Sequence, residues 1–155
     1  MLDSSIKEMR RVAHNMMPEM LTKFGLDEAL KDYCSTVNAT KLLEVKYQSV
    51  GMGSAKMAGL DKATEIIVYR IIQELLNNIL KHAKASETFI QLIRDTNRLS
   101  IVVEDNGKGF DTVLLENSKG AGWTNIRSRV EYLKGQLDIH SGPRKGTLVN
   151  IEFNI

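Results

Sequence analysis

Between Leu60 and Ala83 the apolar positions recur at helical spacing. Val68, Ile72, Leu75, Ile79 and Ala83 follow one another by steps of four, three, four and four, so they form one row along a helix. Arg70, Glu74, Asn78 and Lys81 form a polar row on roughly the other side, and Asp61 is placed to cap the start. Ile67 and Ile71 flank the polar row, so this second face is not simply solvated. On this stretch alone a charged surface face is the leading reading, and a buried wall with a polar site cut into it is the competing one; the glycine clusters downstream reverse that order.

The rest of the chain divides by the same test. Ile6, Met9, Ala13, Met16 and Met20 stripe a first helix over residues 3–21, which Pro18 is expected to kink or end. Lys23-Phe24-Gly25 reads as a helix stop with Gly25 in the left-handed region. Leu26, Ala29, Leu30, Tyr33 and Val37 stripe a second helix to about Asn38. Leu43, Val45, Tyr47 and Ser49 alternate with polar residues, as a half-buried strand does. Residues 51–59 read as a loop, 88–94 and 99–104 as strands joined by a turn at Asp95-Thr96-Asn97, and 106–121 as a loop long enough to be a lid. A helix from Trp123 to Leu133, stopped by Gly135, precedes a last hairpin around Gly142-Pro143. Strands and helices so mixed, with the last three strand pairs antiparallel, predict a two-layer α/β sandwich with helices on one face.

Two glycine clusters follow the central helix. Asp105-x-Gly107-x-Gly109 ends a β-branched strand, where glycines allow backbone to approach a ligand or take positive φ. Gly120-Ala121-Gly122 opens the later helix. Residues 73–83, QELLNNILKHA, resemble the N box of the GHKL ATPases, the superfamily of gyrase, the heat-shock chaperone, histidine kinases and mismatch-repair proteins. Residues 104–110 resemble the first glycine box, 120–130 the second, and Gly146-Thr147 the last. Their order and spacing are similar to sensor histidine kinases of the nitrate and lipid-fluidity sensor subfamily. The resemblance runs over residues 26–155, and more weakly over the first residues.

That resemblance implies the Bergerat ATP-binding fold, ATP and Mg²⁺ as cofactors, and the chemistry of a protein histidine kinase. Glu74 would be the catalytic base or water-orienting group. Asn78 would be the Mg²⁺ ligand, with Lys81 and His82 reaching phosphate. Asp105 would accept a hydrogen bond from the adenine amine, supported by Thr147 through water. Gly107 and Gly109 would let the purine lie on backbone, while Gly120 and Gly122 would offer free N–H groups to phosphate. Trp123 stands where relatives more often carry an aliphatic residue, and is expected to bear on lid packing and leave the nucleotide site untouched. Residues 1–24 would be the C-terminal helix of the dimerisation and phosphoacceptor hairpin, and 25–155 the catalytic domain. The acceptor His, followed by an acidic residue, would lie upstream, because His14 is followed by Asn15 and aligns with the wrong helix. Partners would be a response regulator receiver domain and a second copy through the hairpin, in a cytoplasmic module whose full-length protein is open to membrane anchoring elsewhere. The alternatives are a stand-alone GHKL module, such as an anti-sigma serine kinase, and a nucleotide-binding module without catalysis.

Composition narrows this further. The chain of 155 residues is the size of one domain with a short appendage. A net charge of +2 is too mild to argue for a nucleic-acid partner. No apolar run reaches the roughly 18 residues of a membrane helix. Asp3, Lys7 and Glu8 interrupt what would be a signal peptide core, and the single Cys34 fits a reducing compartment.

Overall fold

The computed structural model describes residues 2–52, 60–109, 121–142 and 144–155, with the side chains of 2–18 and 121–122 outside the description. A five-stranded sheet carries one layer of helices, in the order β1-β2-β3-β5-β4. The strands are β1 (Glu44–Val50), β2 (Glu87–Arg94), β3 (Arg98–Asp105), β4 (Gln136–Ser141) and β5 (Thr147–Asn154). Only the β1–β2 pair is parallel; β2–β3, β3–β5 and β4–β5 are antiparallel. The parallel pair needs a crossover, and the central helix supplies it. This is the α/β sandwich the pattern predicts.

α1 (Leu2–Ala39) has two helical arms that meet at a break at Gly25, whose φ of 84° and ψ of 178° are not helical. Of the kink or end expected at Pro18, the end is excluded, because the helix continues past it, and Gly25 departs from expectation, with positive φ and an extended ψ rather than the left-handed helical pair. Glycine adopts that combination without Cβ strain, so the direction change falls there. The second arm packs as its stripe predicts, with Leu26, Ala29, Leu30, Tyr33 and Val37 all buried. Asn38 pins its end to the sheet, since its Oδ1 accepts from Val45 N at 2.6 Å and its Nδ2 donates to Val45 O at 2.9 Å.

α2 (Lys62–Asn78) starts as expected, with the Asp61 carboxylate accepting from Thr64 N at 2.7 Å. Val68, Ile71, Ile72 and Leu76 are wholly buried, each worth about 1.5–3 kcal/mol of transfer free energy. The burial of Ile71 settles the second face: it is a packed surface and not a solvated one. The helix does not stay α-helical to its end. Ile79–Ala83 form a π turn, closed by Lys84 in the left-handed region at φ 50° and ψ 38°. Periodicity of apolar residues did not predict this widening. It lets the Ala83 carbonyl leave the helix ladder and accept from Lys108 N at 2.8 Å.

α3 (Ala121–Tyr132) lays Ile126 and Val130 on the core. Its stop falls just before Gly135, as expected. Lys134, not Gly135, takes the left-handed conformation (φ 56°), with Lys134 N on Glu131 O and Gly135 N on Val130 O, both 2.9 Å. Gly135 is needed for closeness instead, because a Cβ there would stand 2.7 Å from Glu152 O of β5. Among the described residues no helix is long and apolar enough to cross a membrane.

Candidate functional site

Strand alternation places a polar row at one end of the sheet's inward face. Thr88 pairs with Asp105, Asp105 with Thr147 and Thr147 with Ser141, on four adjacent strands. Thr88, Asp105 and Thr147 are all buried. The neighbouring inward positions Ile90, Val103 and Val149 are apolar, so the row is a local interruption of the core.

Asp105 sits at the centre of this row, 6% exposed, with Oδ1 accepting from Gly107 N at 2.8 Å. Burial pushes its carboxyl above the ordinary Asp value; the Gly107 bond works against that, and the neighbouring charge of Glu104 works with it. Above it opens a cavity of about 240 Å³, lined by Leu75, Asn78, Ile79, His82, Ala83, Val103, Asp105, Lys108, Gly109, Trp123, Thr147 and Val149. An apolar wall with a few polar groups converging on it is the usual build of a small-molecule site.

Loop glycines hold this floor in place by letting backbone meet backbone. A Cβ on Gly107 would collide with Ala83 O, one on Gly109 (φ 70°) with Gly142 O, and one on Gly146 (φ 72°) with Asp105 O. The expected role of Gly107 and Gly109, room for a purine, is thus joined by a structural one: they let three loops close over the strand end. Asn106 completes the closure. Its Oδ1 accepts from both Ser86 N and Glu87 N at 3.0 Å, and its Nδ2 donates to Ser86 Oγ at 2.9 Å. Asn106 was not singled out from sequence as a site residue. Its signal was the Asn side chain itself, which imitates backbone in turns.

Of the residues expected at the site, Asn78, His82, Asp105, Gly109 and Thr147 line the cavity, and Gly107 lies directly beneath it. Glu74 is half-buried one turn before Asn78, outside the lining. Lys81 is exposed and also outside the lining, so contact with a bound group would require its side chain to reach round the mouth. Gly122 lies in the first turn of α3, beside Trp123, and Gly120 lies outside the described residues. Most of the expected lid, residues 110–120, lies outside them too. Trp123 corrects an expectation: its ring is part of the cavity wall and not merely lid packing. Lys108 and the apolar wall of Leu75, Ile79, Val103 and Val149 were not singled out from sequence as site residues. A helix row and two strands supply that wall, and only their packing shows that they share one cavity.

Known proteins give the same picture. The family model described as histidine kinase-, DNA gyrase B-, and HSP90-like ATPase matches residues 63–155, more than half of the chain. The signal transduction histidine-protein kinase/phosphatase DegS of Brevibacillus brevis is 34% identical over all of this chain and 39% of its own length. The sensor histidine kinase MctS of Rhizobium johnstonii is 33% identical over 95% of this chain and 32% of its own. The oxygen sensor histidine kinase NreB of Staphylococcus carnosus is 28% identical over 97% of this chain and 42% of its own. The chain therefore spans about two fifths or less of these relatives. The histidine kinase domain of a blue-light activated histidine kinase from Erythrobacter litoralis superposes with a TM-score of 0.70 over 94% of this chain and 73% of that one, at 22% identity. The fold is shared with that domain, and the chain belongs to the family of histidine kinase-, DNA gyrase B- and HSP90-like ATPases.

Proposed function

We propose that this chain is the ATP-binding catalytic portion of a sensor histidine kinase of the nitrate and lipid-fluidity sensor type, with residues 1–24 belonging to a dimerisation hairpin and 25–155 forming the catalytic domain. The buried Asp105 carboxylate at the floor of an otherwise apolar cavity carries this reading. An ionised carboxylate only accepts hydrogen bonds. It suits the exocyclic amine of adenine and opposes the carbonyl that guanine presents there. Leu75, Ile79, Val103 and Val149 would enclose a purine, with Trp123 beside it.

Asn78 and His82 line the same cavity from the helix side, which supports a phosphate end on that side. Asn78 fits Mg²⁺. One end of its amide is buried with no protein partner, and a half turn of the amide presents oxygen there. Among the described residues no three His, Cys, Asp or Glu side chains gather into a metal cluster, so further ligands would be phosphate oxygens and water. Such a shell is ordinary for Mg²⁺, which would supply charge neutralisation on the phosphates. The first turn of α3, with Gly122, would offer backbone N–H groups to phosphate. Glu74 would take the ring proton of an acceptor imidazole as its nitrogen bonds the γ-phosphorus and the bond to the ADP oxygen breaks. The phosphoryl group would pass next to a response regulator receiver domain.

Two outcomes test this. Incubated with γ-labelled ATP, the chain alone should stay unlabelled, whereas fusion to the preceding hairpin helix of a related kinase should give acid-labile label. Label on the chain alone that vanishes in His14→Gln would put the acceptor in the first helix. No label on the fusion would reduce the chain to a nucleotide-binding module. For the metal, Trp123 is the only tryptophan and lines the cavity, so its emission should report MgATP. Asn78→Ala should weaken that titration about tenfold with Mg²⁺, a loss of about 1.4 kcal/mol, and far less in chelator. Equal losses in both would make Asn78 a packing residue.

A further inference from the structure

Asp105 has a hydroxyl on each side, and the two are not equivalent. On β5, Thr147 Oγ1 lies 2.9 Å from Ser141 Oγ, and Ser141 Oγ donates to Gly146 O at 3.0 Å. A serine hydroxyl carries one proton, so Thr147 is the donor in their shared bond, and its own proton is already committed. On β2, Thr88 is wholly buried, directly opposite Asp105, and its Oγ1 has no protein partner. A buried hydroxyl without a partner is rare enough in a folded core to call for a reason.

Geometry supplies one. Directly opposed residues of an antiparallel pair hold their Cβ atoms about 4.5–5.5 Å apart. Thr88 Oγ1 makes no direct bond to the carboxylate, yet at that separation a single water can touch both. Asp105 has an oxygen to spare, because the bond from Gly107 N occupies Oδ1 alone.

We infer that Thr88 is a positioning residue for adenine recognition: through one water, its hydroxyl fixes the orientation in which the Asp105 carboxylate accepts from the exocyclic amine. The inference rests on the proposed reading of the cavity as an adenine-nucleotide site. Thr88 touches no nucleotide itself, since it does not line the cavity. Its effect is therefore confined to ligands that use Asp105. Valine has nearly the shape of threonine without the hydroxyl, so Thr88→Val removes the proposed link and keeps the packing.

The test is calorimetry on the whole chain with two nucleotides, ATP and purine riboside triphosphate, which lacks the exocyclic amine. Thr88→Val should bind ATP about three- to tenfold more weakly, bind the amine-free analogue as the unsubstituted chain does, and melt no lower. Thr88→Ser should restore ATP affinity. Unchanged ATP affinity in Thr88→Val overturns the inference and leaves the hydroxyl a passive core group. An equal loss for both nucleotides also overturns it, because that is the signature of altered packing. If the unsubstituted chain binds the amine-free analogue as well as ATP, the adenine reading of Asp105 fails first, and the role of Thr88 with it.

Discussion

Asp105→Ala is expected to weaken ATP binding by about tenfold to a hundredfold. The substitution removes a hydrogen bond to a charged acceptor, worth about 1.5–3 kcal/mol, from a floor where water cannot easily replace it. The same carboxyl should give binding an acid limb. Burial holds it above the usual Asp value, so the folded chain takes up a proton at a pH where the unfolded chain is still ionised. The sign for stability follows. The contribution of Asp105 to the free fold is fully present below the unfolded value and is lost as pH rises through the folded one. Nucleotide binding runs the other way, since only the ionised form is a pure acceptor. Acidification through that window should therefore tighten the empty fold while loosening ATP. Calorimetry that finds one affinity for wild type and Asp105→Ala across the window would remove Asp105 from the site.

Gly146→Ala should be strongly damaging to the fold. Two costs coincide there. The backbone has φ 72°, and an added Cβ would run into the Asp105 carbonyl, which is backbone and cannot swing aside. Left-handed strain is on the order of 1–3 kcal/mol and overpacking about 1–3 more. For a domain of this size the sum is a melting-point fall on the order of 10 °C. Two other glycines separate the causes. Gly25 has positive φ (84°), but its nearest neighbour is a side-chain oxygen at 4.0 Å, so Gly25→Ala should pay only the strain. Gly142 has neither problem, its closest neighbour being Lys145 Cδ at 3.5 Å, so Gly142→Ala should melt nearly as wild type does. Equal melting points for Gly146→Ala and Gly142→Ala would show that the loops are not locked as described.

What the sequence made legible follows from periodicity and local chemistry. Val68, Ile72 and Leu75 announce a helix face, Asp61 a cap, and Val45 among Glu44 and Lys46 a half-buried strand; all three hold in the structure. Asp105, Asn78 and His82 were legible because neighbouring boxes occur in a set order. Properties arising from contact between distant segments were not. The π turn at Ile79–Ala83 depends on where Lys108 N finds an acceptor. Trp123 enters the cavity wall because α3 packs beside α2, which no local spacing states. Gly135 proved to be needed for closeness because the demand there is set by Glu152, seventeen positions onward. Thr88 reads as an ordinary strand residue until strand pairing puts it opposite Asp105.

The polar row of Thr88, Asp105, Thr147 and Ser141 has a consequence for the energetics of the whole domain. Positions that could have been filled by β-branched hydrocarbon hold a carboxylate and hydroxyls at the sheet's inward face, so the unliganded domain is less stable than its architecture allows. A ligand that satisfies the row offsets this by mass action, by about 2.7 kcal/mol when its concentration is a hundred times its dissociation constant. The folded population of the domain is then coupled to the supply of the molecule it binds, so that loss of that molecule lowers both occupancy and persistence of the fold.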